Sequence, residues 1–551
     1  MILRRLYLYL VSAAAMVLLA VGLVFLGATV LLFAFNDPSA ESSRSQLAVF
    51  TAMTVVALPV WGVHFWVARR FAMRDPFERA SALRRLYLYF VCLATALAAM
   101  ETLAFALFFL FQPVFDQLPL NGLTAAQLGW ASVVCVALLG FHFVIASRDR
   151  AAVGEEGASA TLRRWYMYVA LLVGLLTMLS SAAYLLQLGW TKLVLGSIVQ
   201  YLYMATPAGS VIAGALLWSF HARAVATNHI SDDRHSTLRA LEGFIAVAFS
   251  IGAALFGATQ ILYYALDRAL GVSNPGGAGT NLLAALAGPG SLLLVYGVAW
   301  FLIRRRLARD ARTQEADRQA GVRRLYTNMA ALISLGAMAY GAAVLLGTLL
   351  VAAEAPVIGI KAPDWKDPAS LSLTLLLVGA AVWLAHWRQA PWAADRQSLS
   401  RKLYVWAALL GSVLAVLGGG VGLINALLQQ VFSAHPNLTD ENNLNFGRFL
   451  ALIVVAAAIG VYHWRVLRSD AATRPPKVTA QPSILPATVA VIAQTTHEDA
   501  APTAEVVGPH SRRYTLVVTD ANEDDVHQAL ASLPPQANYH LTPTEQTVDG
   551  H

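Results

Sequence analysis

Twelve stretches of this chain are apolar over the length needed to cross a bilayer, and nothing else in the sequence restricts its fold as much. A helix needs about 20 apolar residues to span the hydrocarbon. Stretches of that kind run over residues 6–34, 46–68, 86–111, 124–147, 165–187, 193–222, 241–266, 281–303, 325–352, 369–387, 403–431 and 448–467. They are continuously apolar and do not alternate, so each predicts a helix and not a barrel strand. A content of 57% hydrophobic and 13% charged residues, with a mean hydropathy of +0.57, excludes a water-soluble domain. The first stretch, behind Arg4 and Arg5, is about twice as long as a secretory core and its opening recurs further on, which assigns it to the mature protein. Cys92 and Cys135 both fall inside predicted spans, so neither a disulfide framework nor a cysteine metal site is expected.

Basic residues fix the expected orientation, because Lys and Arg beside a span are retained on the cytoplasmic side. Of 39 such residues, only Arg44, Lys192, Arg268, Lys361, Lys366 and Arg448 lie in or beside the outward loops. Both termini are therefore expected in the cytoplasm. Anionic membrane lipids suffice as counter-charge to the net +7, and no nucleic-acid partner is implied.

A repeat is visible at the helix starts. Arg4-Arg5-Leu6-Tyr7, Arg84-Arg85-Leu86-Tyr87, Arg163-Arg164-Trp165-Tyr166, Arg323-Arg324-Leu325-Tyr326 and Arg401-Lys402-Leu403-Tyr404 each open an odd-numbered span, and Arg239-Ala240-Leu241-Glu242 is a degenerate copy. The first arginines are spaced by 80, 79, 76, 84 and 78 residues, enough for two spans and their loops. Even-numbered spans close on His64, His142, His221, His386 and His463, most of them beside an aromatic residue; the fourth copy has Ala299-Trp300 there. A hairpin returns to the side it left, so the opening Arg/Tyr and closing His clusters share one depth and are candidates for contact. The commonest use of such residues is plainer: Tyr and Trp anchor helices at the interface, and Arg snorkels to head groups.

The expected architecture is an all-α integral membrane protein of about twelve transmembrane helices, built as six parallel two-helix repeats with a small cytosolic α+β tail. The hairpins divide at 1–80, 81–158, 159–235, 236–318, 319–397 and 398–469. Residues 470–510, rich in Ala, Pro and Thr, read as a flexible linker, and 511–551 as a small β-α-β module.

The Arg-Arg-Leu-Tyr-x-Tyr start at residues 4–9 and the His-Trp-Arg end at 386–388 resemble an uncharacterised bacterial family of multi-pass proteins, a domain of unknown function, over residues 1–468. That resemblance implies membrane residence without a known activity, and it carries no catalytic residues.

Chemistry within the spans is sparse. Glu101 is the clearest embedded acid, expected to be neutral or hydrogen-bonded because a bare carboxylate there costs on the order of 3 kcal/mol or more. Paired helix histidines can hold haem or metal, but these sit at the water boundary beside Arg, without regular carboxylate partners, so no cofactor is expected. Pro207 and Pro289 interrupt the sixth and eighth predicted helices; broken helices line substrate sites in many transporters, and a kink with satisfied carbonyls is the simpler account. Phosphate-binding loop, H-E-x-x-H and G-x-S-x-G motifs are absent, and an enzyme is not expected. Two function classes remain. One is a scaffold or sensor in the inner membrane that binds lipid at its cytoplasmic face or captures a protein partner through its tail. The other is a transporter of a small molecule through the bundle, with Glu101 as its coupling residue.

Overall fold

Serines placed three residues before the basic positions start several of the long helices. Ser81 accepts from the backbone N–H of Arg84 (3.4 Å), Ser236 from that of Arg239 (3.2 Å) and Ser398 from that of Arg401 (3.4 Å). Each satisfies one of the N–H groups a helix start leaves without a partner, and each thereby puts the basic residue in the first turn.

The computed structural model describes residues 2–196, 203–227, 236–311, 317–357, 359, 361, 363–387, 396, 398–432 and 445–472. Among them there is no strand, and the long helices are α1 (Ile2–Ala34), α2 (Arg44–Arg74), α3 (Ala82–Phe115), α4 (Gly122–Val153), α5 (Gly157–Leu195), α6 (Ala205–Thr227), α7 (Thr237–Ala269), α8 (Ala287–Ala311), α9 (Asp317–Val357), α10 (Lys366–Trp387), α11 (Leu399–Phe432) and α12 (Asn445–Ala472). Each odd helix packs along the even helix that follows it. It also packs on the next even helix but one, giving the contacts α1·α4, α3·α6, α5·α8, α7·α10 and α9·α12.

Eleven helices among the described residues are long and apolar enough to cross a membrane, one fewer than the sequence suggested. The one that falls short is α6, within the span expected at 193–222: it is a helix of 23 residues, but Thr206, Pro207, Ser210, Ser219 and His221 dilute its apolar content. The eleven apolar windows are at most 39% buried inside the protein. Their exposed residues include Leu18, Phe25, Val133, Val136, Leu414 and Val421. An apolar surface of that extent needs lipid around it, and the chain is a polytopic all-α membrane protein.

Pro207 does not interrupt its helix: it is the third residue of α6, in the first turn, where a missing N–H removes no helical bond. The eighth predicted helix is interrupted near Pro289, since a short helix over Leu282–Ala285 ends at Leu286 before α8 begins at Ala287. Residues 470–472, expected to begin the linker, are still helical, and the rest of the linker and the 511–551 module lie outside the described residues.

Three groups of buried residues form the core: one around Leu88, Cys92 and Ala170 among α1–α6, one around Val247 and Tyr296, and one around Tyr404 and Val405. Small residues bring α5 and α6 together, as is usual where helices pack in lipid. A Cβ at Gly214 would lie 2.8 Å from the Met178 amide nitrogen, and one at Gly174 2.7 Å from that of Trp218. Gly214→Leu is expected to cost about 1–3 kcal/mol by overpacking against backbone. Gly140→Leu, where nothing lies within 4 Å, should leave the melting temperature in detergent unchanged.

Candidate functional site

The opening tyrosines meet the closing histidines. Tyr7 Oη lies 3.2 Å from His64 Nε2, Tyr87 3.3 Å from His142, Tyr166 3.0 Å from His221 and Tyr404 2.9 Å from His463. In every case the other ring nitrogen, Nδ1, approaches the carbonyl one turn earlier: Val60 (2.7 Å), Leu138 (2.8 Å), Leu217 (2.9 Å) and Ile459 (2.8 Å). A carbonyl oxygen only accepts, so Nδ1 carries the proton, and in the neutral ring Nε2 accepts from the tyrosine hydroxyl. His386 makes the same Nδ1 bond, to Val382 at 2.8 Å, but faces Tyr326 edge-on with ring centroids 5.8 Å apart. The first of these pairs is exposed; His142, His221 and His463 are buried.

Two tryptophans extend the chain of bonds to the neighbouring hairpin. Trp61 Nε1 donates to Tyr87 Oη at 3.0 Å and Trp383 Nε1 to Tyr404 Oη at 2.8 Å, so tryptophan, tyrosine, histidine and a helix carbonyl stand in series. The sequence reading did not single out these tryptophans. The available signal was their position three residues before His64 and His386, which puts them one turn back on the same face.

The arginines do not snorkel. Arg84, Arg85 and Arg163 are 1%, 0% and 3% exposed, and each meets a carboxylate. Arg84 Nε reaches Asp149 at 2.7 Å, and Asp149 also takes Arg79 at 2.8 Å. Glu155 holds Arg85 at 3.2 Å and Arg163 at 2.7 Å, and accepts from the Tyr89 hydroxyl. Glu78 takes Arg4 at 2.5 Å and Arg5 at 2.8 Å, and Asp470 takes Arg401 at 2.7 Å. Arg164, Arg323 and Arg324 lie half-buried at the same helix ends. The acids escaped the sequence reading, although Asp149 and Asp470 both stand seven residues, two helical turns, after a closing histidine. Protein carboxylates therefore hold arginines that the sequence reading sent to lipid head groups.

In the degenerate copy the polarity is reversed. Glu242 occupies the tyrosine position and pairs with Arg306 Nη2 at 2.5 Å. Arg306 stands seven residues after Ala299, the place taken elsewhere by Asp149 and Asp470. The acid has moved to the opening helix and the base to the closing one.

Glu101 faces away from the helices of the chain, between exposed Phe90 and Phe105 on α3, and forms no hydrogen bond or ion pair with any described residue. Of the two states expected for it, neutral or hydrogen-bonded, an internal bond to a described residue is not formed: the turn that carries it also carries Met100 and Ala104, and these take the inward direction.

Tyr404→Phe should strand the Trp383 N–H and His463 Nε2 together, for a loss of about 1–3 kcal/mol. Tyr7→Phe, at the exposed pair, should lose less; thermal melting in detergent compares them.

Residues 5–136 and again 324–457, which include the two Trp–Tyr pairs but end short of His142 and His463, match the model of one uncharacterised family, described as a domain of unknown function (DUF5671), while no curated protein and no solved structure matches the chain.

Proposed function

We propose that this protein is a non-enzymatic scaffold or sensor of the inner membrane, built from six like-oriented hairpins, with both termini in the cytoplasm and a tail that captures a protein partner. The observation carrying this reading is the closed character of the Tyr–His–Arg–acid clusters. Most of their hydrogen-bonding groups are spent on one another, with Arg85 Nε, Glu242 Oε1 and Arg306 Nε as exceptions, which suits a rigid frame better than a site of turnover. Both nitrogens of four histidines are engaged, so a metal or haem would have to displace a tyrosine. The distribution of basic residues supports the orientation. Transport drew on Glu101, and the outward position of that carboxylate gives it no support.

The test uses single cysteines at Ser39 and Ala158 and a membrane-impermeant maleimide on intact cells. Position 39 should label and position 158 should not until the cells are opened. Deleting residues 511–551 should then abolish capture of cross-linked partners from membranes while the spans still insert. Labelling of position 158 in intact cells overturns the orientation, and an unchanged set of partners overturns the tail's role.

A further inference from the structure

Small side chains stand where α9, α11 and α12 would otherwise interlock. Gly336, Ala339, Ala343, Gly347, Ala408 and Gly411 help to line a cavity of about 740 Å³. A Cβ at Gly336 or Gly411 would meet nothing within 4 Å. Gly341 on the same helix is different: a Cβ there would lie 2.5 Å from the Ser372 carbonyl oxygen, so that glycine serves close packing.

The opening of the cavity differs from its counterpart in the group α1–α4. Fifteen residues before His142 stands Gln127, which spends its amide on the Ala28 carbonyl at 3.0 Å. Fifteen residues before His463 stands Arg448, which is exposed and reaches Asn445 Oδ1 at 3.2 Å. The substitution in register thus sets a cation at the opening.

The shape of the cavity narrows the choice of occupant. Its lining on α9 runs from Leu332 to Ala352, about 30 Å at the helical rise. An extended alkyl chain fits along that length, and Gly336 and Gly411 lie exposed on its side. The walls are almost wholly apolar, and polar groups gather at the end away from the Tyr–His pairs, where Arg448, Asp364 and Trp365 stand. Asp364 Oδ1 is occupied by the backbone N–H of Lys366 at 3.1 Å, which leaves Arg448 as the cation best placed for a phosphate.

We propose that this cavity holds one acyl chain of an anionic phospholipid, with the phosphate against Arg448. The site depends on membrane residence alone and not on the scaffold reading.

The full chain, reconstituted in nanodiscs of equal phosphatidylglycerol and phosphatidylcholine, is released into mild detergent and weighed by native mass spectrometry. One bound phospholipid per chain is expected, with phosphatidylglycerol enriched about tenfold. Gly336→Leu with Gly411→Leu, which fills the space, should abolish the adduct without lowering the melting temperature. Arg448→Gln should retain an adduct and lose the preference. No adduct on the unaltered chain, an unchanged adduct on the filled variant, or a free fatty acid or isoprenoid in place of the phospholipid overturns the proposal. Should the filled variant fail to fold, an unaltered lipid ratio in Arg448→Gln overturns it equally.

Discussion

Glu155→Gln should destabilise this protein by about 3–5 kcal/mol, because it removes the carboxylate charge that faces two buried cations at once. The carboxylate is 1% exposed and holds Arg85 and Arg163, themselves 0% and 4% exposed at their side chains. Arg85 has fallback acceptors in the Ala146 and Gly154 carbonyls, at 3.1 and 3.4 Å, but its Nε has no partner even now. Glutamine keeps the shape and removes the charge, so the loss reports electrostatics and not packing. Thermal unfolding in detergent, followed by near-ultraviolet dichroism, reads the change. Glu41→Gln is the comparison: its ion pair with Arg44 is open to solvent, and its loss should not register. A Glu155→Gln protein that melts with the wild type would mean that these guanidinium groups are not held by charge.

The second large effect is Asp149→Asn, expected to cost about 3 kcal/mol because Arg84, 1% exposed, loses its anion together with Arg79. Asp470→Asn changes the position that likewise stands seven residues after a closing histidine and should cost only about 1 kcal/mol. The pair there is looser: Arg401 is 10% and Asp470 15% exposed, and the Arg401 guanidinium also lies 4.5 Å from the centre of the Trp387 ring. Equal losses at the two positions would show that burial does not set the strength of these pairs.

The membrane-crossing helices were legible because lipid demands one simple property over a long window, and a local average reads it. The meeting of Tyr404 with His463 was legible for a related reason: repeat spacing and hairpin geometry put both at one depth. The partners of the arginines were not. Glu78, Asp149 and Glu155 sit in or beside inner loops where an acid looks like ordinary solvated charge, and only the fold shows them covered. The same holds for Glu101, whose depth follows from counting residues but whose direction depends on which face of α3 its neighbours claim. The helix of the sixth expected span is present but less apolar than the others, since α6 mixes apolar residues with Thr, Ser and His and packs against α3 and α5 where those groups are tolerated.

The separation along the chain of the Tyr–His partners bears on biosynthesis. These partners lie 57, 55, 55 and 59 residues apart, and the tryptophan of one hairpin needs only the next 26 or 21 residues to find its tyrosine. Contacts this local form early and quickly. Each pair of helices can thus be latched as it leaves the ribosome, and each latch waits for no more than the start of the following pair.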